Sequence, residues 1–347
     1  MRAVQWFGPR DVRVTAGLAL PTLLAPRDAI VRVTLSAICG TDLHPYRGEI
    51  PGFLSGTVMG HEFTGVVEDL GPSVTGLKPG DRVLASDVIA CGSCWYCQLG
   101  WHYQCVSVSL FGYGNIVGEY VPGGQAEYVR VPFADVVLSK IPDSFTDEQI
   151  LFVGDILSTG FMCAEAAQLQ SGTTVAVLGC GPVGLLSIQS ALVLGARRVL
   201  AVDPDPRRQA AAQRLGAQAL PSGPDLVEQV RALTLGHGAD AVLDAVGTEQ
   251  SLSTAVAIAR PRSVISVVGV PQTVLTPFPA QAAFGKELAV RFVVGDPISA
   301  RERIMPLIAS GQLDPAQIIS HRLPLAEAVA AYDLFDRREA LKVVLHP

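Results

Sequence analysis

The sequence predicts an α/β protein of two domains, in which a doubly wound parallel sheet accompanies a second, mostly β domain. The chain has 347 residues, more than a single hydrophobic core usually organises. From residue 173 to residue 294, uniformly apolar strands alternate with helices, which indicates a parallel sheet covered on both faces. Residues 1 to about 150 instead carry short runs of alternating apolar and polar residues, typical of half-buried strands.

The first part of the chain is predicted to form a barrel-like β domain with long loops. Its strand-like runs are AIVRVTLSA, FTGVVEDLG and AEYVRVPF, and its turns include KPGD at 78–81 and PGG at 122–124. The pattern changes near Phe152. From there the order is strand TTVAVLG, helix PVGLLSIQSALVLGA, strand RVLAVD, helices PRRQAAAQRLGA and DLVEQVRALTLG, and strands ADAVLDAVG and SVISVVGV. The chain closes with helix LAEAVAAYDLFDRR and strand LKVVLH, which we expect to return to the first domain as an edge strand.

The amino-acid composition limits which kinds of molecule the protein is expected to bind. Hydrophobic residues make up 49 % and charged residues 17 % of the chain, as in a well-packed globular protein. The formal charge of -6 argues against nucleic acid or an anionic membrane as the main partner. The N-terminus has no signal-peptide pattern, and no run reaches the ~18 apolar residues of a membrane span. We therefore expect a cytoplasmic protein whose seven cysteines serve metal binding rather than disulfides.

Four cysteines lie within fifteen residues, in the spacing C-x2-C-x2-C-x7-C. Tetrahedral zinc takes four thiolates at ~2.3 Å, and closely spaced cysteines on one loop can surround a single ion. A shell of four protein ligands has no open position, so this zinc is expected to be structural. The predicted ligands are Cys91, Cys94, Cys97 and Cys105.

A G-x-G-x-x-G triplet follows one of the buried strands and opens a helix, the context in which it binds a dinucleotide pyrophosphate. The predicted phosphate loop comprises Gly179, Gly181, Pro182, Val183 and Gly184. Asp203 ends the next strand and is expected to accept hydrogen bonds from the adenosine ribose, which favours NAD over NADP. Arg207 and Arg208 leave NADP open, since they can turn toward a 2'-phosphate. A glycine-rich turn without a ligand is the alternative.

A second set of metal ligands is suggested by Cys39 in CGTDLH and His61 in GHE. Taken alone, the pair could equally be a buried free cysteine and a hydrogen-bonded histidine. The neighbouring residues favour a metal site, because Thr41 and His44 offer a proton path and Asp42 can hold a metal-bound histidine by its second nitrogen.

With these motifs in order, the chain resembles the zinc-containing medium-chain alcohol dehydrogenases along essentially its whole length, through CGTDLH, GHE, the four-cysteine lobe, VGDILSTG and GCGPVG. The resemblance implies a GroES-like catalytic domain over residues 1–152 and 295–347, with the structural-zinc lobe at 91–105. It implies a Rossmann NAD-binding domain over residues 153–294. Two zinc ions per chain are expected, one structural and one catalytic.

The resemblance also implies residue roles. Cys39 and His61 are the first two ligands of the catalytic zinc, and Asp155 takes the place of a third ligand that is often cysteine. Glu62 is expected to visit the metal or to support it by hydrogen bonding, and Thr41 and His44 to carry the alcohol proton to solvent. The implied cofactor contacts further along the chain are Thr159, Arg208, Val246, Val268, Val270 and Lys342. A solvated lysine is the alternative for Lys342.

The expected reaction is reversible hydride transfer between NAD and a small or medium, mainly apolar alcohol. Formaldehyde dehydrogenase and polyol or threonine dehydrogenase activity are the alternatives, and a non-enzymatic NAD-binding protein is disfavoured because the metal ligands and Thr41 are retained. Relatives pair their sheets near SVISVVGV and its following turn, so a homo-oligomer is expected, with a tetramer favoured over a dimer. The candidate pocket lining is Leu54, Trp95, Phe111, Val270 and Val294.

Overall fold

The computed structural model describes residues 1–271 and 275–347, and the chain divides into two compact units. The first unit contains Met1–Asp155, Asp296–Ala309 and Pro315–Pro347, and the second contains Ile156–Gly295 and Ser310–Asp314. The predicted domain boundaries lie at residues 152/153 and 294/295, and the prediction placed Ser310–Asp314 in the first domain, whereas the structure places it in the second unit.

Strands and helices follow the predicted order, but the helices Glu249–Ile258 and Pro297–Ala309 and several shorter elements were not predicted. The strands are β1 Ala3–Gly8, β2 Asp11–Thr15, β3 Ala29–Ala37, β4 Thr57–Val58, β5 Glu62–Leu70, β6 Arg82–Ala85, β7 Val88–Ile89, β8 Ser109–Leu110, β9 Tyr128–Val131, β10 Leu138–Lys140, β11 Thr174–Leu178, β12 Arg198–Val202, β13 Gln218–Leu220, β14 Ala239–Asp244, β15 Ala259–Val267, β16 Ala289–Phe292, β17 His321–Pro324 and β18 Val343–His346. The α-helices are α1 Gly40–Tyr46, α2 Trp95–Gln98, α3 Ala134–Val137, α4 Asp147–Ile150, α5 Ile156–Ala166, α6 Pro182–Val193, α7 Pro206–Arg214, α8 Leu226–Leu233, α9 Glu249–Ile258, α10 Ala280–Gly285, α11 Pro297–Ala309 and α12 Ala328–Asp336.

The first unit is built around a sheet in the order β10-β6-β5-β3-β18-β17, with β9 also paired to β3. The register of this sheet positions the candidate site. Strand β3 ends at Ala37, which pairs with Glu62 at the start of antiparallel β5. The loop after β3 and the loop before β5 therefore meet at one end of the sheet, and these loops carry Cys39 and His61.

The closing strand occupies a different place from the one predicted. Strand β18 pairs antiparallel with β3 and parallel with β17, so it lies inside the sheet and is not an edge strand. Its first three residues, Val343, Val344 and Leu345, are fully buried. A strand apolar on both faces is typical of an interior position, so its composition already favoured the observed place.

The second unit contains a six-stranded parallel sheet in the order β13-β12-β11-β14-β15-β16, which confirms the predicted doubly wound fold. One apolar core of this unit packs strands β11, β12, β14 and β15 against helices α8 and α9. The strand order reverses between β11 and β14, and ligands of such sheets bind at the carboxyl ends of the strands at this point. The loops after Leu178 and after Asp244 lie there.

Among the described residues, no single helix is long and apolar enough to cross a membrane. Segments Asp147–Gly154 and Ile156–Ala166 reach the required length and composition only as a pair, with a bend of 57° between them. The turn after SVISVVGV, one of the segments expected to join subunits, falls partly on residues 272–274, which lie outside the described residues.

Candidate functional site

Four potential metal ligands converge in the first unit. The sulfur of Cys39, a ring nitrogen of His61 and carboxylate oxygens of Glu62 and Asp155 all lie within 4.8 Å of one another. Asp155 Oδ2 is 3.5 Å from Cys39 Sγ and 3.3 Å from His61 Nε2. A tetrahedral zinc ion separates sulfur, nitrogen and oxygen ligands by roughly 3.3 to 3.6 Å. The observed distances therefore fit a zinc ion, with Asp155 next to Cys39 and His61, the two ligands suggested by the sequence.

The electrostatics of this cluster also suit a divalent cation. Burial, together with the carboxylates of Asp155 and Glu62, raises the pKa of the Cys39 thiol to about 12. Burial alone would lower the pKa of His61, but Asp42 and Cys39 raise it well above its ordinary value. The cluster thus holds a surplus of buried acidic groups. A bound zinc ion removes that surplus, because a coordinated thiol is deprotonated and its charge is neutralised by the metal.

His61 has the Asp42 carboxylate next to its second ring nitrogen, as the sequence suggested. Its Nδ1 faces Asp42 Oδ1 at 3.5 Å, and both side chains are buried. Neither of these atoms has a hydrogen-bond partner within the described part of the chain. Asp42 Oδ2 accepts hydrogen bonds from the backbone N–H of Cys39 at 2.9 Å. The arrangement leaves Oδ1 free to fix a proton on Nδ1 of His61, so that Nε2 is the nitrogen that faces the cluster.

Lys342 lies elsewhere than predicted. Its side chain has no exposed surface, and its Nζ donates to Ile38 O at 2.9 Å and to Glu62 Oε1 at 2.8 Å. Nζ is 2.6 Å from Glu62 Oε2 and lies over the Phe152 ring. The predicted contact with the pyrophosphate is therefore wrong, and so is the solvated-lysine alternative. A buried carboxylate needs a paired cation. Lys342 is buried because it is the counter-ion of Glu62.

Thr41 and His44 stand three residues apart on helix α1, a spacing that places side chains on one face. His44 Nδ1 is 2.6 Å from Glu49 Oε2, with the histidine side chain 21 % and the glutamate side chain 40 % exposed. Thr41 is half-buried, close in sequence to Cys39. His44 therefore leads to a partly exposed carboxylate, Glu49, which the sequence did not single out.

The second cluster is the four-cysteine lobe. Sulfur–sulfur distances are 3.5 Å for Cys94–Cys97, 3.9 Å for Cys94–Cys105 and 4.0 Å for Cys91–Cys97. A tetrahedral ion with bonds of ~2.3 Å separates its sulfurs by roughly 3.8 Å. Burial would raise the pKa of Cys91, but backbone N–H groups of residues 93 and 94 that point at its sulfur lower it to about 6. The lobe has the geometry of a closed structural zinc site.

The glycine loop of the second unit has the features that a phosphate site requires. Gly179 has a φ of +85°, which favours glycine, and a Cβ at Gly184 would lie 1.8 Å from Gly179 O. At Gly181 the nearest neighbour of such a Cβ is the Arg208 guanidinium, 3.8 Å away, so a ligand can approach the backbone here. Pro182 opens helix α6, whose first N–H groups face the loop.

Asp203 directly follows strand β12 and is 3 % exposed. Its Oδ2 accepts a hydrogen bond from Cys180 N and its Oδ1 from Asp205 N, both at 2.8 Å. Each carboxylate oxygen can accept a second hydrogen bond. Arg208 Nη1 lies 3.9 Å from Asp203 Oδ2, whereas Arg207 pairs with Asp205 at 2.8 Å. Only one of the two arginines is therefore near the glycine loop.

The remaining cofactor candidates lie on helix α5 and on loops of the parallel sheet. Thr159 is half-buried, and a Cβ on Gly295 would lie 2.1 Å from its Oγ1. Val246 and Val270 are 39 % and 62 % exposed. Asp244 organises this region, since its side chain accepts from the N–H groups of residues 246 and 247 and its carbonyl accepts from those of 268 and 269.

The candidate pocket lining is only partly accessible. Phe111 has no exposed surface and packs edge-on against Phe63 at 5.1 Å, so it belongs to the core and its prediction as a lining residue is wrong. Trp95 is 63 % exposed and packs on Trp101, within the zinc lobe. The other apolar candidates, Leu54, Val270 and Val294, are exposed.

One buried contact of the zinc lobe was missed. Asp296 Oδ2 accepts the backbone N–H of His102 at 2.8 Å, and its Oδ1 lies 3.0 Å from His102 Nδ1. The same carboxylate accepts from Ser299 N at the start of helix α11. These residues are 194 positions apart in sequence, and no local pattern links them.

Comparison with known proteins agrees with this geometry. Residues 25–143 match the alcohol dehydrogenase GroES-like domain, and residues 182–310 match the zinc-binding dehydrogenase domain. An alcohol dehydrogenase of Cupriavidus necator is 36% identical over 364 residues, covering 100% of this chain and 99% of that protein. An uncharacterized zinc-type alcohol dehydrogenase-like protein of Bacillus subtilis is 36% identical over 381 residues, covering 100% of both. The solved alcohol dehydrogenase of Thermus sp. ATN1 is 44% identical with a TM-score of 0.95, covering 100% of this chain and 99% of that one.

A GroES-like domain, a parallel nucleotide-binding sheet and two zinc-type ligand clusters define a zinc-dependent oxidoreductase that acts on CH–OH groups. The chain belongs to the zinc-containing medium-chain alcohol dehydrogenase family.

Proposed function

We propose that this enzyme catalyses reversible NAD-dependent oxidation of small or medium, mainly apolar primary or secondary alcohols. The observation that carries the proposal is the buried cluster of Cys39, His61 and Asp155, with Asp155 Oδ2 3.5 Å from the sulfur and 3.3 Å from His61 Nε2. Three protein ligands leave one tetrahedral position for a substrate oxygen, the pattern of a catalytic rather than a structural zinc. The thiolate and the carboxylate together neutralise the ion.

Bound zinc would act as a Lewis acid on the alcohol oxygen, and a bound nicotinamide would accept the hydride. The chain's own contribution is to move the proton. The Thr41 hydroxyl accepts this proton from the alcohol and releases its own toward His44 Nε2. His44 in turn gives the proton on Nδ1 to the partly exposed carboxylate of Glu49, 2.6 Å away. Asp42 keeps the His61 ring oriented throughout.

NAD is the proposed cofactor because Asp203 is fixed at the carboxyl end of strand β12 with unused acceptor capacity on both oxygens. A 2'-phosphate placed there would meet a buried carboxylate and be repelled. Arg208 is the group that would oppose this preference. Its Nη1 is 3.9 Å from the carboxylate, so in this arrangement its charge is already directed to Asp203.

A polyol is the second candidate substrate, and Asp87 is the observation that favours it. The backbone N–H of Asp87 donates to Gly154 O at 2.8 Å, directly before the ligand Asp155 in sequence. Its Oδ1 is buried without a hydrogen-bond partner among the residues that the structure describes. A substrate whose second hydroxyl reaches this oxygen would satisfy it, whereas an alkanol has no second hydroxyl to offer.

The deciding experiment is a substrate panel of ethanol, 2-butanol, benzyl alcohol, a polyol, threonine and formaldehyde, each with NAD and with NADP. The proposal predicts the highest kcat/KM for an apolar alcohol with NAD. A preference for the polyol would establish the second candidate. Turnover of formaldehyde or threonine alone, or a preference for NADP, would contradict the proposal.

We also propose that the protein works in the cytoplasm as a homo-oligomer, with a tetramer favoured over a dimer. Support comes from strand β16, which lies at the edge of the parallel sheet of the second unit. Phe292 on this strand is 65 % exposed, and the nearby Phe284 and Val294 are 85 % and 51 % exposed. An open strand edge with apolar neighbours is suited to pairing with another chain. Light scattering of the purified enzyme tests the stoichiometry, and a monomer would contradict it.

A further inference from the structure

A continuous chain of buried polar side chains leads from helix α12 to the catalytic cluster. Tyr332 Oη donates to Gln125 Oε1 at 2.8 Å, and Gln125 Nε2 donates to Asp42 Oδ2 at 3.2 Å. Asp42 in turn faces His61 Nδ1. Tyr332, Gln125 and Asp42 have no exposed surface, and His61 is 2 % exposed. The four side chains come from distant parts of the sequence, so the fold itself assembles the chain.

The orientation of the Gln125 amide follows from its neighbours. Its Nε2 also donates to Ala37 O at 3.1 Å, so on this side it meets a carbonyl and a carboxylate, which only accept. The amide nitrogen must therefore point at Asp42, and the amide oxygen must receive the Tyr332 hydroxyl. The direction of every donor in the chain is fixed, from the tyrosine to the carboxylate.

The backbone holds Gln125 against the metal loop. Gln125 N donates to Met59 O at 2.9 Å, and Gly124 N donates to Gly60 O at 2.8 Å. Gly60 has a φ of +94°, and a Cβ there would lie 2.4 Å from Gln125 Cγ. The residue before His61 is thus glycine because the Gln125 side chain occupies the space beside it.

We propose that Gln125 and Tyr332 are positioning residues for the catalytic zinc, acting through Asp42 on the orientation and tautomer of His61. The Oδ2 atom of Asp42 is occupied by Gln125 Nε2 and by Cys39 N. These two donors hold the carboxylate so that only Oδ1 faces the histidine. Without Gln125 the carboxylate can rotate toward other donors, and His61 Nε2 is no longer held in the direction of the metal. This inference rests on the proposed role of His61 as a zinc ligand.

The test is zinc occupancy of the full-length enzyme in buffers of stepped free Zn²⁺, for wild type, Asp42→Asn, Gln125→Leu and Tyr332→Phe. Supporting partners of metal ligands typically contribute about 10- to 100-fold in affinity. We expect the site of Cys39, His61 and Asp155 to lose zinc affinity by about that range for Asp42→Asn and Gln125→Leu. Tyr332→Phe, which removes one hydroxyl, should weaken the site about threefold to tenfold, at the lower end of the effect.

Two internal controls separate positioning from damage to the fold. The four-cysteine site must keep its zinc in every variant. Tyr46→Phe is the matched control, because Tyr46 is buried, its ring lies 5.4 Å from that of Tyr332, and it is outside the hydrogen-bonded chain. It should bind zinc as wild type does.

The proposal is overturned if Tyr332→Phe and Gln125→Leu bind zinc as tightly as wild type, or if both sites weaken together. If Gln125→Leu does not fold, the milder Tyr332→Phe decides between these results. A different result is expected if His61 is not a zinc ligand at all. Wild type would then hold only one zinc ion per chain, or Asp42→Asn would leave the zinc affinity of both sites unchanged.

Discussion

Replacing Lys342 with methionine tests the buried ion pair beside the catalytic cluster. The ammonium and the Glu62 carboxylate are both without exposed surface and lie 2.6 Å apart. In the proposed site Cys39 and Asp155 neutralise the zinc ion, which leaves the lysine as the counter-ion of Glu62. Methionine keeps most of the side-chain volume, which limits the loss of packing.

The expected magnitude follows from leaving one buried charge alone. Removing one partner of a buried pair destabilises by about 3–5 kcal/mol. At about 2–4 °C per kcal/mol for a unit of this size, Lys342→Met should lower Tm by roughly 6–20 °C in zinc-saturated buffer. Lys78→Met, at an exposed lysine, is the control and should change stability by no more than about 0.5 kcal/mol.

A double-mutant cycle decides whether the effect belongs to the pair. Glu62→Gln combined with Lys342→Met removes both charges of this pair, so the double variant should be more stable than the sum of the two single effects predicts. Thermal unfolding and zinc content are measured for all four proteins. Additive losses, or a Tm change in Lys342→Met no larger than in Lys78→Met, would refute the reasoning.

Three further outcomes are expected. Cys94→Ser should reduce the zinc content by one ion per chain and lower Tm, because the closed site of four thiolates is broken; an unchanged zinc count would contradict this. His102→Ala should destabilise by about 1–3 kcal/mol, since Asp296 loses a buried partner, and a Tm equal to wild type would show that the contact is dispensable. Asp203→Ser should raise the ratio of kcat/KM with NADP to that with NAD by about tenfold or more, measured by steady-state kinetics with one alcohol; a constant ratio would argue against Asp203 as the selecting residue.

The sequence predicted those parts of the site whose residues are close together in the chain. The four cysteines, the glycine loop and the order of strands and helices in the second unit are local patterns, and the fold confirms the sheet they imply. Contacts that the tertiary fold creates leave no local pattern. The distant ligands Cys39, His61 and Asp155 were expected only from the family resemblance, and the other distant contacts were not expected. Lys342 and Glu62 are 280 positions apart, and only the insertion of β18 next to β3 brings the lysine to the cluster.

Apolar character alone also misled the assignment of pocket residues. Phe111 follows strand β8, and its sequence neighbourhood does not show which way the ring points. In the fold the ring fills the core against Phe63. Gln125 shows the opposite error, since a residue next to the candidate site was overlooked. A lone glutamine between two glycines and a strand forms no recognisable motif, yet its amide donates to Asp42.

The most direct test of the central claim is the zinc content per chain of wild type and Asp155→Ala, measured together with alcohol oxidation. The account predicts two zinc ions in wild type and one in the variant, with activity lost along with the missing ion and the four-cysteine site still filled. Two zinc ions retained in Asp155→Ala with activity intact would show that Asp155 is not a ligand and would contradict the proposed active site.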